Sequence, residues 1–405
     1  MKITEVETIH INPRIAARNV DQKARFSKID TQTLFKVVTD NGITGYGDCR
    51  THTTLSETQI AALVGRSPFD FVSGTLASGL MGALYDVMGK HLEVPAYKLM
   101  GQKRRDRVPV AAWTRPASPE DLAKEVQRSV AEGYMIFKMH TCEYYDVLQQ
   151  NRAVEAVAPP GFRMHYDFNH NRVSTEVLRL VQELEKSSVV GFLEDPLVWR
   201  DIDGWRRLRE KTLIPIIMHV PQLGGGPEIM QGCADLYIVG ENDSVGGTLS
   251  RGHACAQANV STVLQLTGGT LTKALALHMA AVLPNISHTI NLDDQYEEDS
   301  TGQRIEISDG SSPIPEAPGL GFEVDEAMVK KLAANPITEI PRNIGILHQP
   351  SGSKLYTISF PGVSRETGFA EGNIRGLKLE LWNDDGSPEF NQCFERLQKD
   401  GSFRE

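Results

Sequence analysis

Positive charge is in short supply. The chain carries 42 lysines and arginines against 52 aspartates and glutamates, a formal net charge of −10, so it lacks the cationic excess that binding to nucleic acid or an anionic membrane needs. Cysteine is sparse and scattered: Cys49, Cys142, Cys233, Cys255 and Cys393 form no CxxC pair and no metal-finger spacing. A disulfide framework is therefore not expected, and most of the thiols should be reduced and packed. There is no run of about 18 uncharged apolar residues, and Met1–Val6 alternates like a strand where a secretory segment would be continuously apolar. A cytoplasmic protein is expected. With 40% hydrophobic and 23% charged residues, the chain can bury a large core, and its expected partners are small molecules.

At 405 residues the chain exceeds one ordinary core, whereas a barrel of roughly 250 residues plus a second domain accounts for it. The runs Thr33–Thr39 and Ile43–Cys49, joined by Asp40-Asn41-Gly42, predict an antiparallel hairpin. From Leu55 to His91 the pattern is helical, closed by Pro95 and Gly101. Residues 1–107 thus read as an α+β domain. From Val108 the pattern changes to short apolar runs alternating with amphipathic stretches: Val108–Trp113, Met135–Met139, Arg163–Asp167, Val190–Glu194, Pro215–His219, Leu236–Val239, Thr262–Leu266 and Thr289–Leu292. Eight strands at a spacing of roughly 25 residues fit a closed (β/α) TIM-like barrel over 108–340. The lack of a GxGxxG after the first strand argues against an open dinucleotide-binding sheet. Residues 341–405 break the period, with β-like runs at Lys354–Phe360 and Gly376–Trp382 and a charged tail, and read as an extension of unassigned role.

Several predicted strands end in ionisable side chains: Lys138 and His140 on the second, Asp167 then Asn169 on the third, Glu194 and Asp195 on the fourth, His219 on the fifth. The C-terminal ends of barrel strands converge on one mouth, so these groups become neighbours there. Two carboxylates meeting in such a place raise each other's pKa unless a cation lies between them. A divalent metal resolves the repulsion and can stabilise the enediolate formed when a base removes the proton α to a carboxylate. Lys138 or His140 is the candidate base. Taken singly, each residue has a plainer reading: a strand-end carboxylate as a helix cap, Lys138 as half of a buried ion pair, His140 and His219 as hydrogen-bonded histidines.

Taken together the motifs resemble a known family. Phe137-Lys138-Met139-His140, Tyr166-Asp167-Phe168-Asn169 and Phe192-Leu193-Glu194-Asp195-Pro196 resemble the base motif and the two metal-ligand motifs of the mandelate racemase and muconate-lactonizing branch of the enolase superfamily. Asn41-Gly42-Ile43-Thr44-Gly45-Tyr46-Gly47-Asp48 resembles its capping-domain signature, with Asp48 for the usual Glu. Ala83–Lys90 with Val94-Pro95 and Leu99-Met100-Gly101, Val245-Gly246-Gly247 and Leu277–Ala281 resemble further stretches, so that the likeness spans about residues 1–340. It implies Mg²⁺ on Asp167, Glu194 and a third acid, but the fifth strand offers His219, a ligand better suited to Mn²⁺, Fe²⁺ or Zn²⁺. It also implies substrate contacts for Asn169 and Asp195, for Arg50 and His52 on the loop after Asp48, and for Asp293 after the eighth strand. Racemising members place a histidine on the seventh strand; here Gln265-Leu266-Thr267 stands there.

These readings predict a lyase that removes the α-proton of a carboxylate substrate, a sugar-acid dehydratase. A degenerate relative that binds a ligand or partner without catalysis is the alternative, and an isomerase or racemase the next. The family also implies a homo-oligomer.

Overall fold

The computed structural model describes residues 1–17, 29–114, 116–142, 145–170, 172–219, 221–241, 243–339, 341–358 and 376–405. It opens on a three-stranded antiparallel sheet of β1 (Ile3–Ile11), β2 (Gln32–Thr39) and β3 (Thr44–Arg50). The hairpin turns where Asp40-Asn41-Gly42 placed it, closed by the Thr39 hydroxyl donating to the Ile43 carbonyl at 2.8 Å. The region expected to be helical from Leu55 is divided into α1 (Glu57–Ala61), a 3-10 turn at Pro68–Phe71 and α2 (Ser78–Leu92). The first piece ends at its C-cap Ala62, Gly65 then turns the chain at φ +83°, and Pro68 opens the 3-10 turn, a first position where its missing amide hydrogen costs nothing. β3 lies so close to α2 that a Cβ on Gly47 would sit 2.2 Å from the Gly79 carbonyl oxygen. The glycines of the Gly42–Gly47 run thus include a packing requirement as well as a turn.

The barrel strands and helices alternate as β4 (Arg107–Thr114), α3 (Pro119–Ala131), β5 (Ile136–His140), α4 (Val147–Glu155), β6 (Arg163–Asp167), α5 (Ser174–Leu184), β7 (Val190–Glu194), α6 (Ile202–Lys211), β8 (Ile216–Met218), α7 (Gly226–Gln231), β9 (Leu236–Gly240), α8 (Val245–Gln257), β10 (Ser261–Gln265), α9 (Thr270–Val282) and β11 (Ile286–Ile290). Strands β4 to β11 lie side by side in sequence order, and β11 pairs in parallel with β4, closing the barrel. Ser118, Asp146, Asp201 and Ser244 start α3, α4, α6 and α8, each side chain accepting a first-turn amide. The eighth strand ends two residues earlier than expected, so Asp293 falls in a 3-10 turn, Asp293–Gln295. β12 (Ser311–Pro313) runs antiparallel to β4, and α10 (Glu326–Ala334) follows.

Chain contacts group the described residues into two units. One holds residues 1–17, 29–113 and 236–338. In it every residue of α9 is buried, with α2 and β3 packed against it, and its lysine, Lys273, is buried as the partner of Asp293. The other holds 114–235 and the C-terminal segment. That segment is a folded module: β13 (Asn343–His348) lies between β14 (Lys354–Thr357) and β15 (Lys378–Asn383), and β16 (Phe403–Arg404) pairs with β14, all antiparallel. The stretch read as a charged tail is α11 (Pro388–Asp400), whose Phe390 and Leu397 pack on Ile344 and Ile346 of β13. Phe360, the expected end of one strand, lies outside the described residues, as do Val220 and Asn242.

Candidate active site

Residues two apart on a strand share a face, so β5 presents Lys138 with His140 and β6 presents His165 with Asp167. Register sets them in rows, Lys138 beside His165 and His140 beside Asp167, which in turn lies beside Glu194 of β7.

The Lys138 ammonium is 2.7 Å from Glu194 Oε2 and 3.2 Å from Asp167 Oδ2, so it bridges the two acids. It is 1% exposed. Glu194 takes two further contacts, His165 Nε2 at 2.6 Å and His219 Nδ1 at 3.0 Å. Burial alone would raise the Glu194 pKa, but Lys138, His165 and His219 outweigh it and hold the carboxyl well below its ordinary range. Asp167 accepts the Asn169 amide at 2.9 Å and faces His140 Nε2 at 3.2 Å. Burial lowers the pKa of His140, against the pull of Asp167. Its side chain is 22% exposed, in contrast to Lys138 two residues earlier.

Asp195, the residue after β7, uses one oxygen to accept the His219 amide at 2.9 Å and the other to meet His170 Nε2 at 2.9 Å. Burial pulls the His170 pKa down, but the bond to Asp195 overcomes it and leaves the pKa raised. Asn169, His170 and Asp195 all have left-handed backbones, with φ of 47°, 60° and 44°.

Sequence reasoning missed two of these residues. His165 bonds Glu194 directly, because the longer glutamate side chain reaches down one layer; its one sequence signal is its place two residues before Asp167 on the same strand face. His170 was passed over; its one sequence signal is its place in the loop that follows Asp167.

Glu194, Asp195 and His219 are the one group among the described residues whose candidate ligand atoms all lie within 4.8 Å of one another. Two oxygens and an imidazole nitrogen fit a borderline divalent ion better than Mg²⁺. Asp167 is outside this group, turned toward the Lys138 ammonium.

The remaining predicted residues lie in the other unit. Arg50 lines a pocket of about 190 Å³ with Cys49, Thr51, Ser78, Glu241 and Thr267, and its guanidinium is 3.6 Å from Glu241. Gln265, at the seventh-strand end, donates to the same Glu241. His52 stacks on His10 with centroids 4.3 Å apart. Asp293 is 6% exposed and paired with Lys273 at 2.9 Å, which makes its carboxylate part of a buried ion pair.

Residues 121–328 match the family described as "Enolase C-terminal domain-like". A D-galactonate dehydratase of Variovorax paradoxus is 25% identical over 83% of this chain and 95% of its own. A D-gluconate dehydratase of Thermoproteus tenax is 27% identical over 76% of this chain and 71% of its own. The crystal structure of an N-succinyl Arg/Lys racemase from Bacillus cereus superposes with a TM-score of 0.69 at 21% identity, covering 83% of this chain and 99% of that one.

Proposed function

Because the chain belongs to the enolase superfamily, we propose that it is a lyase that removes the proton α to the carboxylate of a hydroxy acid and expels the β-hydroxyl as water. A sugar acid is the proposed substrate class, supported by relatives named for galactonate and gluconate dehydration. The observation that carries the reading is the division of labour on β5: His140 sits 3.2 Å from Asp167 with 22% of its side chain exposed, whereas Lys138 is sealed between two acids.

His140, oriented through Nε2 by Asp167, accepts the α-proton at Nδ1, and Asp167 stabilises the imidazolium that forms. The same imidazolium returns the proton to the departing β-hydroxyl, so water leaves from the face that lost hydrogen. Lys138 bridges Asp167 and Glu194 and holds them in place. A divalent ion held by Glu194, Asp195 and His219 would supply Lewis-acid stabilisation of the charge that develops on the substrate carboxylate. A two-base racemase has less support, since Gln265 stands at the seventh-strand end and offers no base.

One observation favours a non-catalytic barrel: the Lys138 ammonium already bridges the acid pair. Incubating the protein with a panel of aldonic acids in D₂O separates the two. A lyase incorporates deuterium at Cα or releases a 2-keto-3-deoxy acid, and His140→Gln lowers that rate by about 10²–10⁴-fold. No exchange with any acid, with or without Mn²⁺, would leave the binding protein as the better reading.

A further inference from the structure

The loop that leaves β5 is held by a part of the chain beyond the matched family region. That region ends at residue 328, and the C-terminal module starts after it. Immediately after His140, the Thr141 amide donates to the Asp167 carbonyl at 2.8 Å. Cys142 and Tyr145, 5% and 7% exposed, then lie in one apolar cluster with Leu347, Leu355 and Leu377 of the module, and Leu379 and Leu381 pack at its edge. Asp146 closes the segment by capping α4, accepting the Leu148 amide at 2.9 Å.

The alternation of the module's strands explains the contact. In β13, Ile344 and Ile346 turn to α11 while Leu347 turns to the loop; in β15, Trp382 faces α11 and Leu379 and Leu381 face the loop. Both faces of the small sheet are therefore apolar, and the face away from its own helix is covered by the residues that follow His140.

We propose that the C-terminal module is a positioning element of the active site, fixing the backbone after β5 and with it the placement of His140. The catalytic half of this proposal rests on His140 as the base; the mechanical half does not.

The test uses the full chain with Leu347→Ala, and Leu347→Met as the conservative variant. Amide hydrogen exchange is followed alongside α-proton exchange. Leu347→Ala is expected to speed exchange at Met139, His140, Thr141 and Cys142 at least tenfold while β9, β10 and β11 keep their protection. kcat should fall with KM within about twofold, and Leu347→Met should restore both readouts. Should Leu347→Ala fail to fold, Leu379→Ala at the cluster edge carries the same comparison. Faster exchange confined to β13, β14 and β15, with residues 139–142 unchanged, would overturn the proposal and make the module a separate appendage. Loosening of 139–142 in a protein whose wild type exchanges no α-proton would support the mechanical half and overturn the lyase reading.

Discussion

Replacing Lys138 by methionine keeps most of the side-chain volume and removes the charge between two buried acids. At an effective dielectric of about 20, an ammonium 2.7 Å from Glu194 attracts it by about 6 kcal/mol, and at 3.2 Å from Asp167 by about 5 kcal/mol. Most of that attraction offsets the desolvation of three ions, and removing one member of a buried pair typically destabilises by about 3–5 kcal/mol. For a unit of this size the loss corresponds to a fall of roughly 6–20 °C in unfolding midpoint. The pH dependence should also reverse. In the wild type the Glu194 pKa is depressed, so its stabilisation is present above the unfolded value of about 4.3 and fades as pH falls below it. Without the ammonium the two acids repel and burial dominates; one of them then titrates above its unfolded value, and stability falls as pH rises. Thermal unfolding of both proteins between pH 4 and 8, in chelator, measures this. A Lys138→Met protein that unfolds within about 1 kcal/mol of wild type, with the same pH profile, would refute the bridging role.

Asp48 provides a second pH-dependent term. Burial first, then Asp299, push its carboxyl up to about 7 against the bonds from Gly269 and Thr272 at the start of α9. Its pKa is higher folded than unfolded, so its contribution to stability is fully present at low pH and declines as pH rises from about 4 toward 7; Asp48→Asn should flatten that decline in urea titrations. Calorimetric titration with Mn²⁺ should show binding to chelator-treated wild type and none to His219→Ala or Glu194→Ala. Binding that survives His219→Ala but is lost in Asp167→Ala would move the ion to the acids bridged by Lys138.

Much of the barrel was legible because a buried parallel strand and an amphipathic helix differ in period, and β6 and β7 fall where those periods put them. The acids Asp167 and Glu194 were legible because strand ends converge. Side-chain reach was not: nothing in the Lys138–His140 spacing says that the lysine spans two acids while the histidine stays at the mouth. β13 was missed because its two faces are both apolar, which erases the alternation that marks a half-exposed strand. α11 had a readable start, Ser387 before Pro388, with Phe390, Phe394 and Leu397 at helical spacing; its surrounding charges drew the eye to a tail instead.

The shortness of β8 has a consequence for interpreting mutants. The strand stops at Met218, and the next amide, that of His219, is caught by the Asp195 side chain at 2.9 Å. A carboxylate thus does locally what a strand carbonyl does elsewhere in the barrel wall. A scan for activity would score Asp195 as chemically essential, although its loss would first unfasten the wall that carries His219. Asp195→Asn, which keeps an oxygen for that amide, separates the mechanical part of such a score from the electrostatic one.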